Sequence, residues 1–169
     1  MKYVILVYVL FSGVAFAGVS DTSRYTVYYF LGEDCRICEY YAPEINRLDS
    51  LYADADIQFI GLFPSRHSTE KGISDFKKKN NVAIPLKLEY FATKTKEFGV
   101  TVTPEVVIYD NRQKQMLYRG RIDDSYVRVG KRRRVIQKRD LEYLLRRLQA
   151  EDDLAFTESD AIGCYITFR

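Results

Sequence analysis

The reading turns on "GEDCRICEYYAPEI", Gly32 to Ile45, which sets Cys35 and Cys38 three positions apart. Just before it, "RYTVYYFL" (Arg24 to Leu31) is dense in β-branched and aromatic residues and reads as a strand. Just after, Ile37, Tyr41, Ile45, Leu48 and Tyr52 recur at spacings of three and four, one helix face running to about Ala53. The pair therefore sits where strand gives way to helix. There, backbone N–H groups without partners and the positive end of the macrodipole stabilise a thiolate. Cys35 at the cap reads as an exposed nucleophile. Cys38, one turn on and less exposed, reads as the thiol that resolves a mixed disulfide. Arg36 adds positive charge beside Cys35, while Glu33, Asp34 and Glu39 oppose it.

Other uses of the pair are weaker. A structural zinc site wants four ligands, and only Cys164 and the single His67 remain to complete one. A structural disulfide between Cys35 and Cys38 would close too small a loop to stabilise much. Pro43 lies five residues after Cys38, where it removes the hydrogen bond to the Glu39 carbonyl and kinks the helix.

The N-terminus reads as an export signal over residues 1–17: Lys2, then an apolar run too short for a comfortable membrane span, then Ala15-Phe16-Ala17 before Gly18. An uncleaved N-terminal anchor is the alternative. The expected location is outside the cytoplasm, in the periplasm. Residues 18–150 are expected to form one domain, and residues 151–169 a C-terminal tail carrying Cys164. The 169-residue chain is 47% apolar and 29% charged, the profile of a globular protein. A net charge of +3 gives no reason to expect a nucleic-acid partner. The basic run "KRRR" (Lys131 to Arg134) reads as a solvated loop without interleaved aromatics. Three cysteines in an exported chain are an odd set, leaving one thiol free or shared.

Further along, "DIQFIGLF" (Asp56 to Phe63) reads as a buried parallel strand, and Ser68 to Asn81 as a capped surface helix. "IPLKLEY" is a short extended piece, and "FATKTKEFGV" a short helix closed by Gly99. Thr103–Asp110 and Lys114–Ile122 form a hairpin through "NRQ", and Leu141, Leu144, Leu145 and Leu148 stripe a last helix. This order predicts an α/β sandwich with a central mixed β-sheet flanked by helices.

"CRICEYYAPEI" resembles the active-site helix of thioredoxin, with its helix-kinking proline at the same distance. "TVTPEVVIYD" resembles the strand that a cis-proline opens in that fold. The resemblance implies a thioredoxin-like fold, a cis Thr103-Pro104 bond, and main-chain hydrogen bonds from Thr103 to a bound substrate strand. Thioredoxin's tryptophan before the first cysteine is replaced by Asp34, and its buried acid by Tyr29. The chain is more similar to exported redoxin-type thioredoxin-like proteins, a group adjoining the AhpC/TSA and TlpA/ResA families, through "DCRICEYYAPEINRL", "TPEVVIYD", "YRGRIDDSY", "DLEYLLRRL" and "IGCYI". Several of that group are implied to keep the first cysteine, replace the second by a small residue, and carry a Gly-Cys segment near the C-terminus.

Cys164 is thus either a second resolving thiol or, the reading slightly favoured, a buried free cysteine in an apolar tail strand. Arg36 and Glu105 are the other accessory candidates. Glu105 is either a proton acceptor or, more simply, a paired strand carboxylate. "RGRIDD" (Arg119 to Asp124) is a hairpin exit with exposed ion pairs or a rim of the site, and His67 a loop residue. The expected function is thiol–disulfide exchange on protein thiols and disulfides, with no cofactor and, for a reductant, a membrane electron donor. Peroxidase chemistry is weaker, because Gly32 stands where a peroxide-orienting threonine or serine belongs. The alternative is Cu(I) handling by Cys35 and Cys38 with His67 or Cys164 as a third donor. A redox-inert binding module is the third reading.

Overall fold

The computed structural model describes residues 23–54 and 56–168. The expected signal over residues 1–17 lies outside them. The elements run β1 (Tyr25–Phe30), α1 (Arg36–Tyr52), β2 (Ile57–Phe63), α2 (Glu70–Lys79), β3 (Leu86–Leu88), α3 (Thr93–Glu97), β4 (Val102–Thr103), β5 (Glu105–Asp110), β6 (Gln115–Gly120), β7 (Tyr126–Arg128), β8 (Lys131–Arg132), α4 (Asp140–Gln149), β9 (Thr157–Glu158) and β10 (Cys164–Tyr165).

Six strands form one mixed sheet in the order β3-β2-β1-β5-β6-β9. The β1–β2 and β2–β3 pairs are parallel, while β1–β5 and β5–β6 are antiparallel. All six residues of β1 are buried, because helices or loops cover both faces of the sheet. Its period-two alternation sends Val27 and Tyr29 to one side and Tyr28 and Phe30 to the other. On the first side, Ile37, Tyr41, Ile45, Leu48 and Tyr52 of α1 meet Leu141, Leu144, Leu145 and Leu148 of α4 in one cluster. Each fully buried leucine there contributes about 1.5–3 kcal/mol. On the second side, Phe98 and Val100 follow α3 and pack on Tyr28, Phe30 and Val107. Gly99 supplies the left-handed turn (φ +67°) that ends α3.

Some details depart from the expectations. The cap of α2 is Thr69, whose side chain accepts the Gly72 N–H at 3.0 Å; Ser68, where the helix was expected to begin, is buried before it. Part of the basic run is not a loop: β8 pairs with β7, so Lys131 and Arg132 are strand residues with exposed side chains. Tail residues Thr157 and Glu158 form β9, parallel to β6, at the sheet's edge. Among the described residues, no helix is long and apolar enough to cross a membrane.

Candidate functional site

Cys35 is the residue that caps α1, in extended backbone, and Cys38 lies in the helix's first turn. The Thr103-Pro104 peptide bond is cis, as the resemblance implied, and it sits directly against the pair. The Cys35 Sγ is 3.1 Å from the Thr103 carbonyl oxygen, to which the protonated thiol donates. Cys38 is fully buried, and its sulfur accepts the Gly32 N–H at 3.3 Å. The two thiols are thereby made unlike. Cys35 is held down to about 5, chiefly by the Cys38 thiol and, against the cost of burial, by the Cys164 thiol and the N–H groups of Cys38 and Ile37. Burial, and then the neighbouring Cys35, push the Cys38 thiol well above its ordinary value.

Cys164 completes the site. Its Sγ lies 2.8 Å from that of Cys35, and it is an exposed residue, which corrects the favoured expectation of a buried tail cysteine. The segment is placed by main-chain pairing: β10 is antiparallel to β4, with Cys164 opposite Thr103 and Tyr165 opposite Val102. Because that strand crosses the helix start, Cys35 is only 3% exposed rather than the open nucleophile expected from its position. Burial and the Cys35 sulfur push the Cys164 thiol up to about 12, so between pH 5 and 12 it is the donor of the pair. Beside these sulfurs lies a cleft of about 200 Å³, lined in part by Glu33, Ser65, His67, Thr103 and Tyr165.

The remaining candidates stand at varying distance from the chemistry. Arg36 points outward, its side chain 89% exposed, and pairs with Glu39 at 3.6 Å. Glu105 is buried, accepts the Thr101 N–H at 3.2 Å and faces Arg119 at 3.7 Å. Its carboxyl is raised by burial, and its partners hold β4 rather than a sulfur. His67 lies on the cleft wall, where its Nε2 accepts from the Arg66 Nε at 3.1 Å. Among the described residues, no three His, Cys, Asp or Glu side chains are grouped as a metal ion requires.

The "RGRIDD" segment is not an exposed hairpin exit. Asp123 is buried and accepts the Tyr41 hydroxyl at 2.6 Å and the Ser125 N–H at 2.8 Å. Asp124, also buried, accepts the Gln137 and Lys138 N–H groups and pairs with Arg133 at 3.2 Å. Tyr41 and Asp123 line a small space behind Pro104, so this cluster backs the site without facing the sulfurs. Sequence reasoning missed Gly163. A Cβ there would lie 2.3 Å from the Thr103 carbonyl oxygen, so only glycine lets the tail approach β4 this closely. The Gly-Cys dipeptide was its one visible signal.

No family model matches the chain, and no curated protein matches it. Among solved structures, it is similar to an uncharacterized conserved protein of Geobacillus kaustophilus, at 19% identity and a TM-score of 0.74, over 88% of this chain and 79% of that one. A thioredoxin-like protein in its oxidised form matches at 16% identity and TM-score 0.54, over 78% and 81%. A putative thiol:disulfide interchange protein DsbE of Chlorobium tepidum matches at 15% and 0.51, over 59% and 68%. The fold is thioredoxin-like.

Proposed function

We propose that this protein is a thiol–disulfide oxidoreductase acting on protein thiols and disulfides outside the cytoplasm. The observation that carries this reading is the asymmetry of the pair. Cys35 is held at about 5 at a helix start against Thr103, while Cys38 stays protonated beneath it. An ionised, nucleophilic sulfur above a protonated reserve is what stepwise exchange requires. The Cys35 thiolate attacks a substrate disulfide, forming a mixed disulfide and releasing one substrate thiolate. Cys38 then loses its proton and attacks Cys35, freeing the second substrate sulfur, which takes up a proton. Two enzyme thiols are oxidised and one substrate disulfide is reduced, and the reverse sequence oxidises a substrate dithiol. The similar Chlorobium tepidum protein, a putative thiol:disulfide interchange protein, is consistent with this chemistry.

Thr103, at the edge strand beside Cys35, is assigned the main-chain contact to an extended substrate, with Pro104 holding its carbonyl toward the sulfurs. Export rests on the sequence of residues 1–17, and an exported reductant draws its electrons from a membrane donor. The test is turnover of insulin disulfides with dithiothreitol as the electron source. The protein accelerates the reaction, and Cys35→Ser abolishes the acceleration. A reduced protein that binds stoichiometric Cu(I) and shows no exchange would overturn the reading in favour of metal handling.

A further inference from the structure

An extended polypeptide that brings a disulfide to Cys35 must lie along β4, the short edge strand beside the nucleophile. That edge is already occupied. Cys164 stands opposite Thr103, Tyr165 opposite Val102, and the Ile166 N–H continues the ladder to the Thr101 carbonyl at 3.0 Å. Beyond it, the Arg66 N–H holds the Thr167 carbonyl at 2.8 Å. The occupying strand also delivers a sulfur to the place where a substrate's sulfur would stand. Its Sγ is 2.8 Å from that of Cys35, within about 1 Å of the ~2.05 Å of a disulfide bond.

The strand is held lightly and tethered firmly. Its own residues Cys164 and Tyr165 are exposed, Tyr165 at 86%, while Ile166 is partly buried against the Tyr28, Phe30 and Phe98 cluster. Peeling the strand away therefore gives up the main-chain ladder and the Ile166 contact but no fully buried side chain. Upstream, the Ser159 N–H donates to the Arg119 carbonyl at 3.1 Å, and the Ser159 hydroxyl sits 2.7 Å from that of Tyr118. Residues 160–168 can therefore leave β4 while the sheet stays intact.

We propose that Cys35 and Cys164 form a second redox pair, on a strand that occupies the groove a substrate polypeptide uses, so that closing this disulfide and binding a polypeptide exclude one another. The inference rests on Cys35 being the exchange nucleophile. With a polypeptide seated on β4, Cys164 is displaced and Cys38 resolves from below. With a small disulfide that leaves β4 free, Cys164 resolves instead. In that case the Cys35 thiolate attacks one sulfur of the small disulfide, forming a mixed disulfide and expelling the first thiolate. Cys164 then attacks Cys35, closing Cys35–Cys164, and the second departing sulfur takes the Cys164 proton. Two protein thiols are oxidised and one external disulfide is reduced to two thiols.

The test treats the reduced Cys38→Ser protein with oxidised glutathione and maps its disulfides without reduction. A Cys35–Cys164 peptide is expected as the major product, replaced by glutathionylated Cys35 when Cys164→Ala is added. Cys38→Ser protein that stops at glutathionylated Cys35 overturns the second pair. Insulin turnover by Gly163→Ala reports the occupied groove, because its added Cβ cannot coexist with the seated strand. The expected KM is about 5-fold lower or more, with kcat little changed, since the binding-competent fraction rises. An unchanged KM overturns the exclusion. Insulin turnover that Cys35→Ser leaves intact defeats the oxidoreductase reading itself, whereas the mapping result stands apart from that outcome.

Discussion

Cys35 and Cys164, 129 positions apart in the chain, bring their sulfurs to 2.8 Å across the start of α1. The contact depends on a strand pairing of two residues and on the absence of a side chain at Gly163. It joins β10 to the residue that caps α1, and it makes the reactivity of Cys35 depend on where the tail lies.

That dependence is measurable by alkylation. Iodoacetamide modification of Cys35, followed by mass spectrometry, is expected to rise with pH through a midpoint near 5 and then level off. Cys164→Ala removes one of the hydrogen bonds that favour the thiolate, so the midpoint moves upward while the accessible rate at high pH increases. A midpoint that stays put in the variant would separate the tail from the electrostatics of Cys35.

Cys38→Ser should trap polypeptide substrates. A polypeptide on β4 displaces Cys164, and without Cys38 no thiol remains to resolve it. A mixed disulfide with a reduced-and-reoxidised protein substrate is expected to accumulate on a non-reducing gel and to disappear with dithiothreitol. The Cys35→Ser protein forms none.

Tyr29 is fully buried, and its hydroxyl has no hydrogen-bond partner among the described residues. An unpaired buried hydroxyl costs free energy that phenylalanine avoids. Tyr29→Phe is therefore expected to stabilise the protein by about 0.5–2 kcal/mol. The readout is a higher urea midpoint at unchanged slope.

Glu142 ties α4 to α1. Its carboxylate accepts from Arg47 at 2.6 Å, Arg146 at 2.8 Å and the Tyr52 hydroxyl at 3.3 Å. The Arg47 hydrogen bond is the largest of the influences that hold it at about 2. Its contribution is complete above the ordinary value of 4.5 and is lost as pH falls from there toward 2. Glu142→Gln should cost about 1–3 kcal/mol at neutral pH, allowing for the solvent exposure of both guanidiniums. Thermal melts of the variant should show a shallower loss of stability between pH 4.5 and 2 than those of the parent.

Much of the fold could be read from local pattern. The apolar stripe from Ile37 to Tyr52 and the leucine stripe of α4 meet in one cluster because helical periodicity alone decides which face is buried. That β1 is a strand followed from its β-branched and aromatic composition; that all six of its residues are buried did not. What could not be read depended on contacts between distant segments. β9 joins the sheet through two residues of pairing, too few to leave a periodic signal. Asp123 and Asp124 look like surface charges, yet both are buried, because the backbone N–H groups and side chains that satisfy them come from elsewhere in the fold.

By itself, the sequence determined which sulfurs are available and where Cys35 and Cys38 sit, since a helix start and a one-turn spacing are local properties. The resemblance of "TVTPEVVIYD" to the strand that a cis-proline opens in thioredoxin implied that Thr103-Pro104 would be set against them. Only the tertiary structure decided that Cys164 reaches Cys35, that the nucleophile lies covered, and that the edge of β4 is already paired. The physical reason is that strand pairing across the chain uses main-chain groups every residue possesses, so nothing in "IGCYITF" names its partner. The close approach required of Gly163 is visible only once Thr103 lies opposite.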